Sequence, residues 1–211
     1  MNKQTDWTRY YHKKKSYFST HTQVYTLQLI EKAINDYCNG EIQLLECGGG
    51  RSCFAQALTK NNAQLVRYDI VDNNEYAVKL FDDMNIDVLH EGFCQDLTKS
   101  DSEKEKYDFV FSIGLIEHFS EDDRSRVIKA HYDSCKPGGI VLISFPTPTR
   151  KYRFFRRVME ILHVWQFHDE TPLVEQDVKP YVQKYAEVIE SKLNKKLPLT
   201  QRVIISRKRE E

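Results

Sequence analysis

The sequence predicts an α/β fold, a doubly wound and mostly parallel sheet with helices on both faces. Three observations predict it. Five apolar strand-like runs alternate with stretches of helical periodicity between residues 42 and 145. The first run, with Ile42, Leu44 and Leu45, leads into the glycines Gly48, Gly49 and Gly50 and then into a helix-like segment with Phe54, Ala55 and Leu58. The fifth run, Ile140 to Phe145, follows a Lys136-Pro137-Gly138-Gly139 turn. A strand, a glycine turn and a helix in that order place a ligand at the carboxyl end of the strand.

The chain of 211 residues is long enough for one domain with a real core and too short for two ordinary ones. We therefore read residues 1–211 as a single domain, with 1–40 a helical cap and 146–180 a lid insertion. Lys plus Arg (31) balance Asp plus Glu (31), so no overall field draws the protein to nucleic acid. Five cysteines without a C-x-x-C pair read as reduced thiols of a cytoplasmic protein. No apolar run approaches the ~18 residues that a membrane span needs, and the polar N-terminus lacks a signal-peptide core.

Taken in order, Trp7 to Ser19 is aromatic and basic. Two readings of Tyr10 and Tyr11 stay open: rings on a helix that caps the sheet, or rings that reach over a ligand. Leu27, Ile30, Ile34 and Tyr37 fall at helical spacing, and Gly40 stops that helix. At the glycine turn two familiar ligands are excluded. The third small residue of the dinucleotide fingerprint would be Cys53, and no Gly-Lys-Ser/Thr follows for a phosphate loop. What remains is Glu46-x-Gly48-x-Gly50, with Ser52 positioned to cap the next helix. A carboxylate ahead of the glycines suits a ligand with an ammonium group and repels phosphate.

The second strand is Gln64 to Ile70, with Asp69 at its carboxyl end about 20 residues beyond Gly50, where an acidic side chain accepts from ribose hydroxyls. Asp72 is the nearby competitor, and Asp69 is preferred. Glu75 to Met84 is helical, and Asp87 to Glu91 is a short third strand followed by Phe93 and Asp96. Phe109 to Ile113 makes a near-continuous apolar fourth strand. Ser112, Gly114, Glu117 and His118 follow at its end, and Ser120-x-x-Asp123 starts the next helix.

The ordered set Glu46/Gly48/Gly50, Asp69, Asp96, Ser112 to His118 and the Lys-Pro-Gly-Gly turn resembles the class I S-adenosylmethionine (SAM) dependent methyltransferases, small-molecule type, over about residues 42 to 145. The resemblance implies SAM as cofactor and S-adenosylhomocysteine (SAH) as product. It implies cofactor contacts at Glu46, Gly48, Gly50, Asp69 (ribose), Phe93 and Asp96 (adenine) and Ser112. It also implies an N-terminal helix over the active site, which would bring Tyr10 and Tyr11 to the substrate, and an antiparallel last strand, here Thr200 to Arg207. Such an enzyme moves a methyl group to a hydroxyl or amine of a small molecule, with sugar and surface-polysaccharide precursors as the favoured acceptors. RNA or protein methylation and non-catalytic SAM binding are the alternatives. The Asn/Asp-Pro-Pro-Tyr motif of nucleic-acid amino methylators is absent, since Ser112-Ile113-Gly114-Leu115 stands in its place.

His118 is the candidate base, since a histidine near neutral pKa takes the proton that the acceptor loses. His168 and Asp169, on a polar loop, are second candidates at the acceptor pocket. One carboxylate and one histidine, Glu117 and His118, are too few for a metal site. Beyond the fifth strand, Arg150 to Trp165 reads as a helix with Phe155, Val158, Met159, Leu162 and Trp165 on its packing face. Its basic cluster includes Arg156 and Arg157 and suits a phosphorylated acceptor or an anionic membrane surface. Tyr181 to Leu193 reads as a further helix. Neither the acceptor nor the oligomeric state is legible.

Overall fold

The computed structural model describes residues 5–12, 17–99, 104–194 and 200–210. Two helices, α1 (Trp7–His12) and α2 (Tyr17–Tyr37), precede β1 (Ile42–Cys47), α3 (Ala55–Asn61), β2 (Leu65–Asp72), α4 (Glu75–Asp82) and β3 (Leu89–Cys94). The second half runs through β4 (Tyr107–Ile113), α5 (Glu121–Ser134), β5 (Cys135–Pro146), α6 (Arg150–Ile161), α7 (Lys179–Val182), β6 (Ala186–Asn194) and β7 (Gln201–Lys208). The seven strands form one sheet in the order β3-β2-β1-β4-β5-β7-β6. The first five are parallel, and β7 runs antiparallel to both β5 and β6.

Both faces of the sheet are covered, which is why β1, β4 and β5 are apolar without alternation. On one face Ile30, Ala33 and Ile34 of α2, Ala55 and Leu58 of α3 and Phe81 of α4 pack on Leu44, Phe109, Phe111 and Leu142. On the other, Val127 and Ile128 of α5 and Val182 of α7 pack on Leu45, Val110, Val141 and Ile143. The strand order reverses between β1 and β4, so the carboxyl ends of these neighbours open a crevice. Gly48 and Gly114 turn the chain there, with φ of 66° and 68° that an L side chain rarely adopts.

Ser52 accepts from the backbone N–H groups of Phe54 and Ala55 and so starts α3, as the sequence predicts. Asn74 caps α4 through Ala77 and Ser120 caps α5 through Asp123.

Two expectations are corrected. Tyr181 to Leu193 is not a helix: α7 is a single turn, and Ala186–Asn194 is the edge strand β6. Val182, Ala186, Ile189 and Leu193 mimic helical spacing, but pairing with β7 overrides that local pattern. Residues 147–185 form the connection from β5 to β6 and include α6, whose inner face differs from the expected one. Tyr152 and, just past the helix, Trp165 are buried, while Val158 and Leu162 are exposed.

Candidate active site

The crevice is built first by the glycine turn. Gly48 N–H donates to the carbonyl of Val71 at 2.7 Å, and Gly50 N–H donates to Oδ2 of Asp72 at 2.9 Å. The other oxygen of Asp72 accepts from Asn74 N–H at 2.9 Å. Asp72 is therefore the carboxylate at the carboxyl end of β2, beside the glycines. Burial raises its pKa, against the hydrogen bonds from Asn74 and Gly50.

Asp69 lies elsewhere. It pairs in register with Leu45, inside the sheet, and is fully buried. Its Oδ2 accepts from Tyr107 Oη at 2.7 Å and Arg67 Nε at 2.5 Å. The expectation that Asp69 faces the ligand is corrected, because β2 continues to Asp72. A signal in the sequence marked this: Asn74-Glu75 is a helix start, so the strand reaches almost to it.

Glu46 is brought to the glycines but from beneath. Its side chain lies 3.0 Å from where a Cβ on Gly49 would stand, and Tyr68 Oη donates to its Oε2 at 2.6 Å. Burial pushes the Glu46 carboxyl up to about 7, against hydrogen bonds from Ser52 and Tyr68. Glu46 therefore braces the turn, a role shared with Tyr68 and Ser52 that sequence reading did not assign.

From above, α1 covers the turn. A Cβ on Gly50 would stand 2.1 Å from the Tyr11 hydroxyl, so only glycine admits that ring. Thr8 accepts from Asn74 Nδ2 at 2.9 Å, and His12 stacks on Tyr76, which fixes α1 to the start of α4. Leu115 lies over Gly48.

The second half of the crevice is at the end of β4. Ser112 is fully buried, and its hydroxyl has no hydrogen-bond partner among the described residues. Beyond it a short 3-10 turn, Ile116–His118, presents His118. His118 Nδ1 lies 2.9 Å from Oδ1 of Asp169, whose carboxylate also accepts from the N–H and hydroxyl of Thr5. A carboxylate only accepts, so the proton of the neutral ring sits on Nδ1 and Nε2 carries the lone pair. Burial lowers the His118 pKa, against Asp169, which raises it. The ring is enclosed by Trp7 at 5.0 Å and Phe167 at 6.1 Å between centroids, and Tyr10 packs on Phe167 at 5.5 Å.

Glu117 is buried beside this pair, with Oε2 unpartnered among the described residues. Burial raises its pKa, reinforced by Glu170.

The remaining expected site residues are distributed unevenly. Phe93 pairs in register with Val71 and flanks the Asp72 end of β2. Asp96 spends its carboxylate locally: Oδ1 accepts from Thr98 N–H and hydroxyl at 3.0 and 2.7 Å, and Oδ2 pairs with Lys99 at 3.0 Å. Asp96 is thus a turn-capping residue, because Thr98 follows it at the spacing of an Asx turn. His168 is exposed, and its neighbour Asp169 is the residue that meets His118.

Arg156 is committed inside the protein. It donates to the Glu170 carbonyl at 3.1 Å and to Glu160 at 2.8 Å, and it stacks on Trp165 at 5.2 Å. It is not free for an outside phosphate, whereas Arg157 is exposed.

A methyltransferase-domain family model matches residues 17–176, most of the chain. The protein belongs to the class I SAM-dependent methyltransferases. No curated protein matches the chain in sequence. Among solved structures, the magnesium protoporphyrin IX methyltransferase ChlM of Synechocystis PCC 6803 with bound SAH is 14% identical, with TM-score 0.68 over 96% of this chain and 92% of that one. A SAM-dependent methyltransferase of Methanosarcina mazei is 15% identical, with TM-score 0.67 over 84% and 97%. The N-methyltransferase NodS of Bradyrhizobium japonicum WM9 with SAH is 14% identical, with TM-score 0.61 over 91% and 87%.

The methyltransferase takes SAM as methyl donor and releases SAH. The crevice fits that cofactor on two counts. A carboxylate ends β2 beside the glycine turn, and the buried Ser112 hydroxyl has no partner among the described residues.

Two outcomes are expected. Asp72→Ala weakens SAM binding by about 1–3 kcal/mol, the cost of unpaired hydroxyls and an unpaired Gly50 N–H. Asp69→Ala spares SAM affinity and destabilises the fold by about 1–3 kcal/mol, because the buried Tyr107 hydroxyl loses its acceptor while Arg67 keeps Glu91. Titration calorimetry paired with urea unfolding separates the two, and the reverse order would restore Asp69 as the cofactor ligand. For Glu46, the native state holds a proton that the unfolded chain releases between about pH 4.5 and 7. Stability therefore falls as pH rises through that window. Glu46→Gln makes the decline shallower, and Glu117 and Glu170, also raised, keep part of it. An unchanged slope in denaturation midpoints would show that Glu46 does not titrate there.

Proposed function

We propose that the enzyme transfers the methyl group of SAM to a hydroxyl or amine of a small molecule, with His118 as general base and Asp169 as the residue that orients it. The observation that carries this reading is the 2.9 Å contact between His118 Nδ1 and Asp169, which directs the lone pair of Nε2 away from the carboxylate. Gly48 to Gly50, braced by Glu46, would hold the amino-acid part of SAM, Asp72 the ribose, Phe93 one side of the adenine and Ser112 a polar group near the sulfonium. Bound SAM supplies a methyl group already activated for transfer.

The chain's own task is then alignment, which supplies up to ~7–11 kcal/mol, and removal of one proton from the acceptor. His118 is suited to that removal because burial keeps it neutral at neutral pH. Trp7, Tyr10 and Phe167 exclude water from the ring and offer apolar faces to the acceptor. Such faces stack on the C–H side of a sugar ring, which supports a sugar or surface-polysaccharide precursor as acceptor. ChlM, named for a porphyrin, and NodS, named as an N-methyltransferase, show that chains of this fold serve chemically different acceptors.

The test begins with SAM turnover against a panel of sugar, amine and quinol acceptors. With the best acceptor, His118→Ala lowers kcat by about 10²–10⁴-fold and leaves SAM affinity unchanged. In the wild type kcat/KM falls only below the His118 pKa, which lies under 6.5. Asp169→Asn removes the charge that raises this pKa, so the acid limb moves to lower pH while kcat drops. A His118→Ala enzyme with near wild-type kcat across pH would place the base elsewhere.

A further inference from the structure

The outer face of α6 has no role in the crevice. Its inner face holds Tyr152, which donates to Glu170, and Arg156, so the helix is anchored on the acceptor side of the site. The outer face carries Phe154, Val158 and Ile161 at helical spacing, followed by Leu162 and Val164. Phe154 is 74% exposed, Ile161 66% and Leu162 62%. His163, with φ of 55°, ends the helix, and Val164 N–H bonds the Met159 carbonyl at 3.0 Å, which keeps the apolar strip continuous past the last turn.

Alongside this strip stand four exposed cations: Arg150, Lys151, Arg153 and Arg157. None of the four pairs with a carboxylate among the described residues, and the exposed Glu160 is held by Arg156. Arg150, Lys151 and Arg153 stand in the first turn of α6, where the macrodipole disfavours cations. Large apolar side chains on an exposed helix face, bordered by cations that have no carboxylate partner among the described residues, are the composition of a helix that lies in a lipid–water interface.

We propose that α6 docks on an anionic membrane surface, with Phe154, Val158, Ile161 and Leu162 entering the headgroup boundary and Arg150, Lys151, Arg153 and Arg157 meeting lipid phosphates. A second copy is the poorer occupant, since a two-fold contact through this face would set the same cations against one another. The contact is peripheral: among the described residues no helix is long and apolar enough to cross a membrane. Because the inner face of α6 supports Glu170, next to Asp169, docking would turn the acceptor side of the enzyme toward the bilayer. The proposal concerns the outer surface and stands apart from the assignment of the base.

Flotation of the full chain with vesicles tests it. The protein binds vesicles of phosphatidylcholine mixed with phosphatidylglycerol, binds phosphatidylcholine alone far less, and is released as salt rises. Phe154→Ser/Ile161→Ser and, separately, Arg150→Glu/Arg157→Glu each weaken binding by about tenfold or more. Both keep the wild-type melting temperature and SAM affinity, which shows that the loss is local. The proposal is overturned if anionic vesicles are not bound, if neither double variant weakens binding, or if neutral vesicles bind equally well. It is also overturned if Phe154→Ser/Ile161→Ser instead abolishes a concentration-dependent dimer seen by sedimentation.

Discussion

The site depends on one carboxylate. Asp72 accepts from Gly50 on one oxygen and from Asn74 on the other, and so ties the turn after β1 to the start of α4. Without it the turn would lose a fixed point, since Gly48 to Gly50 have no side chains to hold them and two of them sit at positive φ. Gly48 adds a backbone bond to Val71, one residue earlier in β2. The turn is thus suspended from the end of β2 on one side and braced by Glu46, Tyr68 and Ser52 beneath. Glycine there serves close approach: Tyr11 from above and Glu46 from below already fill the space that a Cβ would need.

Much of this was legible in the sequence, for identifiable reasons. β1, β4 and β5 are buried on both faces, and near-continuous apolar runs bounded by glycine turns announce such strands. The glycine turn and the location of His118 at the end of β4 also follow from residue order. The choice between Asp69 and Asp72 does not follow from counting. It depends on whether β2 ends at Ile70 or at Asp72, and a two-residue difference moves a carboxylate from the sheet interior to the crevice. Asp69 is instead a buried carboxylate bonded through one oxygen to Arg67, two residues earlier on β2, and to Tyr107 of β4, and the bond to β4 is one that no local pattern reveals.

The other differences are of the same kind. β6 reads as a helix because its apolar residues fall three and four apart, and only its ladder with β7 shows a strand. On α6 the helix itself was legible but its rotation was not. Phe155 and Met159 are half-buried as expected, yet Tyr152 and Arg156 are drawn inward by Glu170, and Val158 and Leu162 are left in solvent. A hydrophobic pattern tells which residues prefer burial. It does not tell that a glutamate on the following loop will draw a tyrosine and an arginine of the same helix inward.

That glutamate is also part of how the site separates its acids. Three carboxyl groups cluster around His118, and burial alone would push all three toward the neutral form. Glu117 and Glu170 follow that tendency and are raised. Asp169 does not: burial raises it, but Thr5 donates twice to its carboxylate and His118 faces it, and together these hold it below the ordinary value. The one carboxylate that contacts the imidazole is thereby shifted opposite to its two neighbours, so charge on Asp169 is favoured where charge on Glu117 and Glu170 is disfavoured. Thr5 comes from the N-terminal segment that also brings Trp7 and Tyr11 over the crevice. The segment that covers the crevice is therefore also one that bonds the carboxylate of the Asp169–His118 pair, so cover and pair are tied to each other through Thr5.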